Sequence, residues 1–145
     1  MFINHCSDPV LSAELQELYL QNKQWFSDVL FLEDETRFFN KIFDRILPTV
    51  IIKDRFMEVQ YISASLGQLE ARTKTLKELL IRQLHLLESM LKNLNKSIGL
   101  SLVNENMDIV EEIKTLFISD KLIKNELFAM VEETMREEKA VSVTV

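Results

Sequence analysis

The sequence contains few of the residues that break helices or join loops. Its 145 residues include two glycines, two prolines and one cysteine. Sandwiches, barrels and loop-rich α/β folds need many turn residues, so this scarcity argues against those folds and favours long helices. The single cysteine, Cys6, cannot form an internal disulfide, which fits a reducing compartment, and we expect a cytoplasmic protein.

Residue patterns that carry chemistry are also missing. Two glycines cannot form a Gly-rich phosphate loop, and the sequence has no nucleophile elbow, cysteine pair or Glu-x-x-His metal motif. Cys6 has only His5 beside it, which is more typical of an inert thiol than of a nucleophile. We therefore predict that the protein is not an enzyme, with no catalytic residue, no cofactor-binding residue, no metal ligand and no cofactor.

The sequence predicts neither membrane insertion nor binding to nucleic acid. No run approaches the roughly 18 uninterrupted apolar residues of a transmembrane helix, and the first ten residues lack a signal peptide's basic start and apolar segment. The net charge of −6 disfavours a nucleic-acid partner. A solvated helix face is the favoured interpretation of one basic series, and contact with phosphates is the competing one. The series comprises Arg72, Lys74, Lys77, Arg82, Lys92 and Lys96.

Residues 10–47 carry the clearest periodic pattern and predict the first helix. Spacings of three and four residues keep one apolar stripe on one helix face. Pro9 suits a first helical turn, and Pro48 is expected to end the helix, so we predict helix over 9–47. The stripe consists of two seven-residue series: Leu11, Leu18, Trp25, Leu32, Phe39 and Ile46, and Leu15, Asn22, Val29, Thr36 and Phe43. Phe31 and Phe38 flank the stripe and suggest contact with at least two other helices.

Two further helices are predicted, over 50–98 and 105–138, with flexible ends at 1–8 and 139–145. In the second, a stutter is expected after Leu80, where the apolar positions continue at Leu84, Leu87, Leu91, Leu94 and Ile98. Gly67 favours close helix approach or a mild kink over a break, and Gly99 suits a helix carboxyl end. The third helix has its apolar stripe at Ile109, Ile113, Leu116, Asp120, Ile123, Leu127, Met130 and Thr134.

These helices predict an all-α fold: one domain over 1–145, built as an elongated antiparallel three-helix bundle. A break near Gly67 would give four helices instead. Polar residues interrupt the stripes at Asn22, Thr36, Thr73 and Asp120. They either fix the register of the helices or line a small wet cavity, and we favour register. Asp120 needs a partner such as Lys121 or Lys124, unless a helix break lies there.

Large apolar residues also fall outside the stripes, and this predicts association between helices of different molecules. They are Leu20, Phe26, Ile42, Met57 and Phe128. Exposed apolar stripes on helices commonly mark oligomer contacts. We expect a non-enzymatic interaction or structural protein that binds its own copy, most simply as a dimer, or a helical partner.

The alternative function is a helical bundle that binds a metal or small ligand. His85 and Glu88 share adjacent helix surface at a spacing of three, and Glu33, Asp34 and Glu35 supply carboxylates. A di-iron carboxylate bundle needs two Glu-x-x-His pairs, which this sequence does not have.

Residues 14–25 (ELQELYLQNKQW), followed by residues 30–35 (LFLEDE) and Phe38-Phe39, carry a resemblance to known proteins. The segment resembles a group of small uncharacterised bacterial long-helix proteins of coiled-coil or helical-bundle type. The likeness covers about residues 14–47. It implies the helical architecture and carries no activity, cofactor or site residue.

Overall fold

A computed structural model describes residues 9–52, 55–92 and 100–144 of the chain. This part of the chain forms three α-helices and contains no strand: α1 (Pro9–Ile52), α2 (Phe56–Lys92) and α3 (Leu100–Thr144). The predicted all-α three-helix bundle is confirmed. The predicted amino-terminal lead, residues 93–98 of the second helix and the proposed cap at Gly99 lie outside the described residues.

The chain divides into two compact units, and each contains a segment of all three helices. Unit 1 comprises Met1–Phe31 and Lys74–Thr115, and unit 2 comprises Leu32–Thr73 and Leu116–Val145. The prediction of a single domain over 1–145 stays a prediction.

Unit 1 has an apolar core shared by its three helical segments. Partly buried Leu18, Tyr19 and Leu91 pack against this core, which is formed by Leu15, Leu87, Met90 and Leu102. Gln83 of α2 donates a hydrogen bond to Glu105 of α3 across 2.8 Å. Leu87 and Met90 of α2 pack with Leu102 of α3, while the earlier residue Gln83 contacts the later residue Glu105. The two segments are therefore antiparallel.

Unit 2 is held by buried side chains and by ion pairs near one end of the bundle. The fully buried Leu32, Phe39 and Leu127 belong to its core. Arg55, which lies between α1 and α2, forms ion pairs with Glu133 at 2.6 Å and with Glu137. In this unit α1 runs parallel to α3, and α2 runs antiparallel to both.

The buried face of α3, which we call its seam, agrees with the predicted apolar stripe over the whole predicted length. All eight predicted positions, from Ile109 to Thr134, are buried. The seam also extends two positions earlier, to Asn106 and Leu102, and α3 begins at Leu100 where we predicted residue 105. The helix begins early because burial of Leu102 stabilises an additional turn.

Pro48 does not end α1, so the predicted boundary at residue 47 is wrong. The helix continues to Ile52 with Pro48 inside its last turns. Pro48 is exposed, whereas Val50 is only 1% exposed and continues the series of buried residues of α1 beyond Phe43. Burial of Val50 offsets the hydrogen bond that α1 loses because Pro48 has no amide hydrogen. The predicted second helix correspondingly begins at Phe56 and not at residue 50.

The carboxyl end of α3 also differs from the prediction. We expected the helix to end at residue 138, and it continues to Thr144. Glu137 is half-buried and paired with Arg55, which holds the helix beyond the last buried seam residue. The alanine and lysine that follow are good helix formers.

Gly67 neither breaks α2 nor lies close to another helix. The helix is continuous through this residue, and a Cβ added there would meet no atom within 4 Å. The expectation of close approach is wrong, and so is the four-helix alternative. Buried Leu66 and Leu69 keep this part of α2 on the core, while Gly67 faces solvent.

The predicted stutter in α2 is also wrong. The structure buries Gln83 and Met90 and leaves Leu84 and Leu91 partly exposed. The buried positions therefore keep an unbroken alternation of four and three residues. Sequence reasoning missed this register because the position that continues it holds a glutamine.

Candidate functional site

A buried carboxyl group lies within a charged cluster in unit 2. Asp120 of α3 is 5% exposed and lies beside Glu35 of α1 and Lys124, one helical turn later on α3. The Lys124 ammonium is 2.6 Å from a Glu35 carboxylate oxygen and 5.8 Å from the centre of the Phe39 ring. Of the two lysines expected as partners of Asp120, Lys124 instead forms its ion pair with Glu35 and acts on Asp120 only as a nearby charge. The helix is continuous through Asp120, so the alternative of a helix break there is wrong.

Burial raises the pKa of Asp120 from 3.8 to about 6, and the nearby Glu35 charge acts in the same direction. Lys124 opposes the shift, and a hydrogen bond between the two carboxyl groups adds to it. The pKa of Lys124 is itself raised, first by its hydrogen bond to Glu35, because each contact with a carboxylate favours the ammonium. The three residues of the cluster line none of the grooves described below.

The other predicted polar seam residues are buried as expected. Asn22 and Thr36 each donate a hydrogen bond to the backbone carbonyl four residues earlier, at 2.9 and 2.8 Å. The Thr73 hydroxyl has no hydrogen-bond partner among the described residues. The Thr36 hydroxyl is thus satisfied within its own helix and needs no cavity, whereas the side-chain carbonyl oxygen of Asn22 has no partner among the described residues.

Two further seam positions carry polar groups that sequence reasoning did not single out. Gln83 donates to Glu105, and its carbonyl oxygen has no partner among the described residues. Asn106 is also buried, with neither amide atom hydrogen-bonded to a described residue. Asn106 could have been identified from the sequence, because it lies three residues before Ile109 and continues the alternation of four and three residues along α3.

An open groove lies between α1 and α3 in unit 2, and we call it the α1/α3 groove. It has a volume of about 540 Å³. Its apolar residues are Ile42, Ile46, Phe128, Val131 and Met135, and its charged residues are Arg45, Glu132 and Glu138.

An aromatic pair borders this groove. Phe38 of α1 packs edge-to-face on Phe128, with ring centres 6.5 Å apart. Phe38 nevertheless stays about half exposed, so the pair adds apolar surface at the groove.

A second open groove, the α2/α3 groove, lies on another side of unit 2 and has a volume of about 450 Å³. The residues that line it are Met57, Glu58, Tyr61, Ile62, Glu126, Ala129, Met130 and Glu133. Tyr61 also lines a smaller depression of about 190 Å³ farther along the same two helices. That depression includes Leu69, Leu122 and Arg72. Within the described part of the chain, all charged residues that line the α2/α3 groove itself are acidic.

The predicted outward apolar residues are only partly in these grooves. Ile42 and Phe128 line the α1/α3 groove, and Met57 lines the α2/α3 groove. Leu20 is exposed on α1 in unit 1, and Phe26 is half-buried.

Sequence reasoning located some exposed apolar residues and missed others. Phe31 and Phe38 were expected to contact neighbouring helices; Phe38 packs on Phe128 of α3, and both residues stay about half exposed. Tyr61, Leu122 and Met135 were missed, although each lies outside its helix seam and was therefore identifiable by register.

The structure does not assemble the candidate metal ligands. His85 is exposed on α2 in unit 1, and Tyr19 donates a hydrogen bond to its neighbour Glu88. Glu33 and Asp34 both form ion pairs with Arg37, while Glu35 contacts Lys124. Within the described chain, no group of three or more potential ligand residues is close enough to hold a metal ion. His5 and Cys6 lie outside the described residues.

The basic series of α2 is exposed in part. Lys74, Arg82 and Lys92 are exposed, Arg72 and Lys77 are half-buried, and Lys96 lies outside the described residues. Arg72 also lines the depression next to Tyr61, so this residue is not confined to a solvated face.

No family model, curated protein or solved structure matches this chain. The resemblance to bacterial long-helix proteins therefore stays a prediction. None of the described helices carries an apolar stretch of the length needed to cross a bilayer.

Proposed function

We propose that this chain is a non-enzymatic, cytoplasmic interaction protein that associates with a second copy of itself through helices. The observation that carries the proposal is the α1/α3 groove. It combines exposed apolar side chains with charges of both signs, Arg45 on α1 and Glu132 and Glu138 on α3. None of these three charged groups forms an ion pair with another described residue.

A two-fold symmetric contact favours a surface that complements itself. In such an interface, residue i of one copy meets residue j of the other and the reverse contact also forms. Two copies facing each other across the α1/α3 groove would bring Arg45 of each towards the glutamates of the other. The apolar residues between these charges would lose their contact with water, which is the main favourable contribution to association.

Self-association can be tested by a charge placed in the groove. Met135 is 63% exposed, so Met135→Asp disturbs little of the core but puts a carboxylate into an apolar contact. We expect the native chain to be a dimer by light scattering coupled to size exclusion, and the variant to dissociate at concentrations where the native chain does not. Ile118→Asp is the matched control, since Ile118 is 61% exposed on α3 and lines neither groove.

A charge exchange identifies the contact. Arg45→Glu should weaken the dimer, as should Glu132→Arg or Glu138→Arg. Combining Arg45→Glu with whichever of Glu132→Arg and Glu138→Arg changes the glutamate that faces Arg45 should restore the dimer, because opposite charges again face each other. A native chain that is monomeric at all concentrations tested would rule out self-association, and equal effects of Met135→Asp and Ile118→Asp would place the contact elsewhere.

A further inference from the structure

We propose that the α2/α3 groove binds a basic amphipathic helix of a different protein. This proposal rests on the proposed function only in that the chain acts by binding helices, and it does not require self-association. The groove lies entirely within unit 2, and residues of α2 and α3 form its two walls. An apolar helix face can be placed between two such helices as an additional member of a bundle.

The charges that line the groove determine the charge expected of the partner. Glu58, Glu126 and Glu133 line the groove, and among the described residues no lysine, arginine or histidine does. Glu133 is paired with Arg55, but neither Glu58 nor Glu126 forms an ion pair with a described residue. Two carboxylates on an apolar surface, neither paired with a described cation, favour a cationic partner and repel an acidic one. The α1/α3 groove differs because it already contains both signs.

The apolar part of the groove specifies an amphipathic partner. Met57 is 79% exposed and Tyr61 is 57% exposed, while Ile62 and Met130 are buried at the base. Methionine side chains adapt to different apolar partners, and an exposed tyrosine offers a large apolar surface with a polar end. The partner needs apolar side chains at spacings of three and four residues to meet this surface.

The depression next to the α2/α3 groove indicates how long the bound helix is, and the charges indicate the direction in which it runs. It shares Tyr61 with the groove and continues along α2 to Arg72. From Glu58 to Arg72 the distance along α2 is about 21 Å, which corresponds to about four helical turns. The positive end of a helix dipole is its amino end, so that end is expected at the glutamates. The bound helix would then run parallel to α2.

Methionine methyl groups provide a readout that distinguishes the two grooves. Of the six methionines, Met57 and Met130 line the α2/α3 groove, Met135 lines the α1/α3 groove, and Met107 lies in unit 1. Methyl-labelled protein is titrated with two synthetic helical peptides of about 18 residues, enough for the expected length. The peptides share one apolar pattern and differ in having lysine or glutamate on the polar face.

The basic peptide should shift the Met57 and Met130 resonances and leave those of Met107 and Met135 unchanged. The acidic peptide should shift none of them. A nitroxide on the amino end of the basic peptide should broaden the Met57 resonance more strongly than a nitroxide on its carboxyl end. If the two peptides bind equally, or if Met135 alone responds, the proposal is wrong, whatever the oligomeric state of the protein.

Paired substitutions test the carboxylates. We expect the double variant Glu58→Gln and Glu126→Gln to weaken binding of the basic peptide by about tenfold at low salt, because two exposed ion pairs are lost. The double variant Glu70→Gln and Glu78→Gln removes the same charge from exposed positions of α2 outside the groove, and it should change binding less than twofold. Equal effects of the two pairs would mean that the net charge of the protein attracts the peptide, and would overturn the assigned site. The same titrations on Met135→Asp show whether binding needs the dimer.

Discussion

At the scale of single residues, the main unusual feature is the charged cluster inside unit 2. A carboxyl group as buried as that of Asp120 pays a desolvation cost when it ionises. Glu35 increases this cost through charge repulsion, whereas Lys124 reduces it. The result is a group whose pKa is higher in the folded chain than in the unfolded chain, and this links stability to pH.

The raised pKa of Asp120 predicts that this residue destabilises the folded state as the pH increases. Between about 3.8 and about 6 the folded state binds more protons than the unfolded state, so stability decreases as pH rises through this window. Asp120→Asn removes the buried charge. In urea unfolding above pH 7, the free energy of unfolding of the variant should exceed that of the native chain by about 3 kcal/mol, with the gain shrinking towards pH 4.

The exposed Asp108 of α3 gives the control for this experiment. Asp108→Asn removes the same charge without relieving burial, so it should change stability little at any pH. A gain from Asp120→Asn that stays constant from pH 4.5 to 8 would contradict the raised pKa.

Thr73 and Thr36 form a matched pair that tests why polar groups lie in the seams. Thr73→Val should stabilise the chain by about 1 kcal/mol, since the buried hydroxyl has no partner among the described residues. Thr36→Val should gain less, because it also removes a hydrogen bond to the Leu32 carbonyl. Thermal unfolding measures both. A loss of stability in Thr73→Val would instead support the alternative of a small wet cavity, in which water satisfies that hydroxyl.

At the scale of the helices, α2 combines a strong core face with an exposed glycine. Leu66, Leu69 and Leu76 are buried on one side, and Gly67 faces open space on the other. Glycine at such a position contributes only its conformational cost, since no neighbouring atom requires the missing Cβ.

Gly67→Ala should therefore stabilise the chain by about 1 kcal/mol, the difference between glycine and alanine inside a helix. The reciprocal change, Ala64→Gly, places glycine at another exposed position one turn earlier and should cost a similar amount. Both are measured by urea unfolding. A destabilising Gly67→Ala would mean that α2 contacts another molecule closely at Gly67.

At the scale of the whole molecule, three continuous helices each contribute to two compact units. Helix formation is cooperative along a segment, so loss of one half of a helix weakens the other half. This continuity, together with the length of the chain, is the basis for expecting one cooperative domain.

The single tryptophan allows this expectation to be measured. Trp25 lies in unit 1, whereas circular dichroism reports all helices. If the chain unfolds as one domain, the two signals should give the same transition in urea. Leu127→Ala removes a fully buried side chain from unit 2 and should lower both midpoints together, at a cost of about 2–5 kcal/mol. If Leu127→Ala shifts the circular dichroism transition but not the Trp25 signal, the units unfold separately.

The amino-acid sequence by itself determined the class of fold and most of the buried residues. Scarce glycine and proline, together with apolar residues at spacings of three and four, leave side-by-side packing of helices as the way to bury the apolar stripes. The seam of α3 followed this rule even where it passes through Asp120 and Thr134. Local spacing is sufficient here because the helix repeat alone decides which residues share a face.

Only the tertiary structure decided the helix ends, the register of α2 and the two grooves. Pro48 lies within α1 because Val50 is buried by other helices, and Gln83 rather than Leu84 is buried because packing retains the four-three alternation. Glu35, Asp120 and Lys124 meet only when α1 and α3 pack together. These outcomes depend on free energies of contact between segments distant in the chain, which local propensity and spacing do not contain.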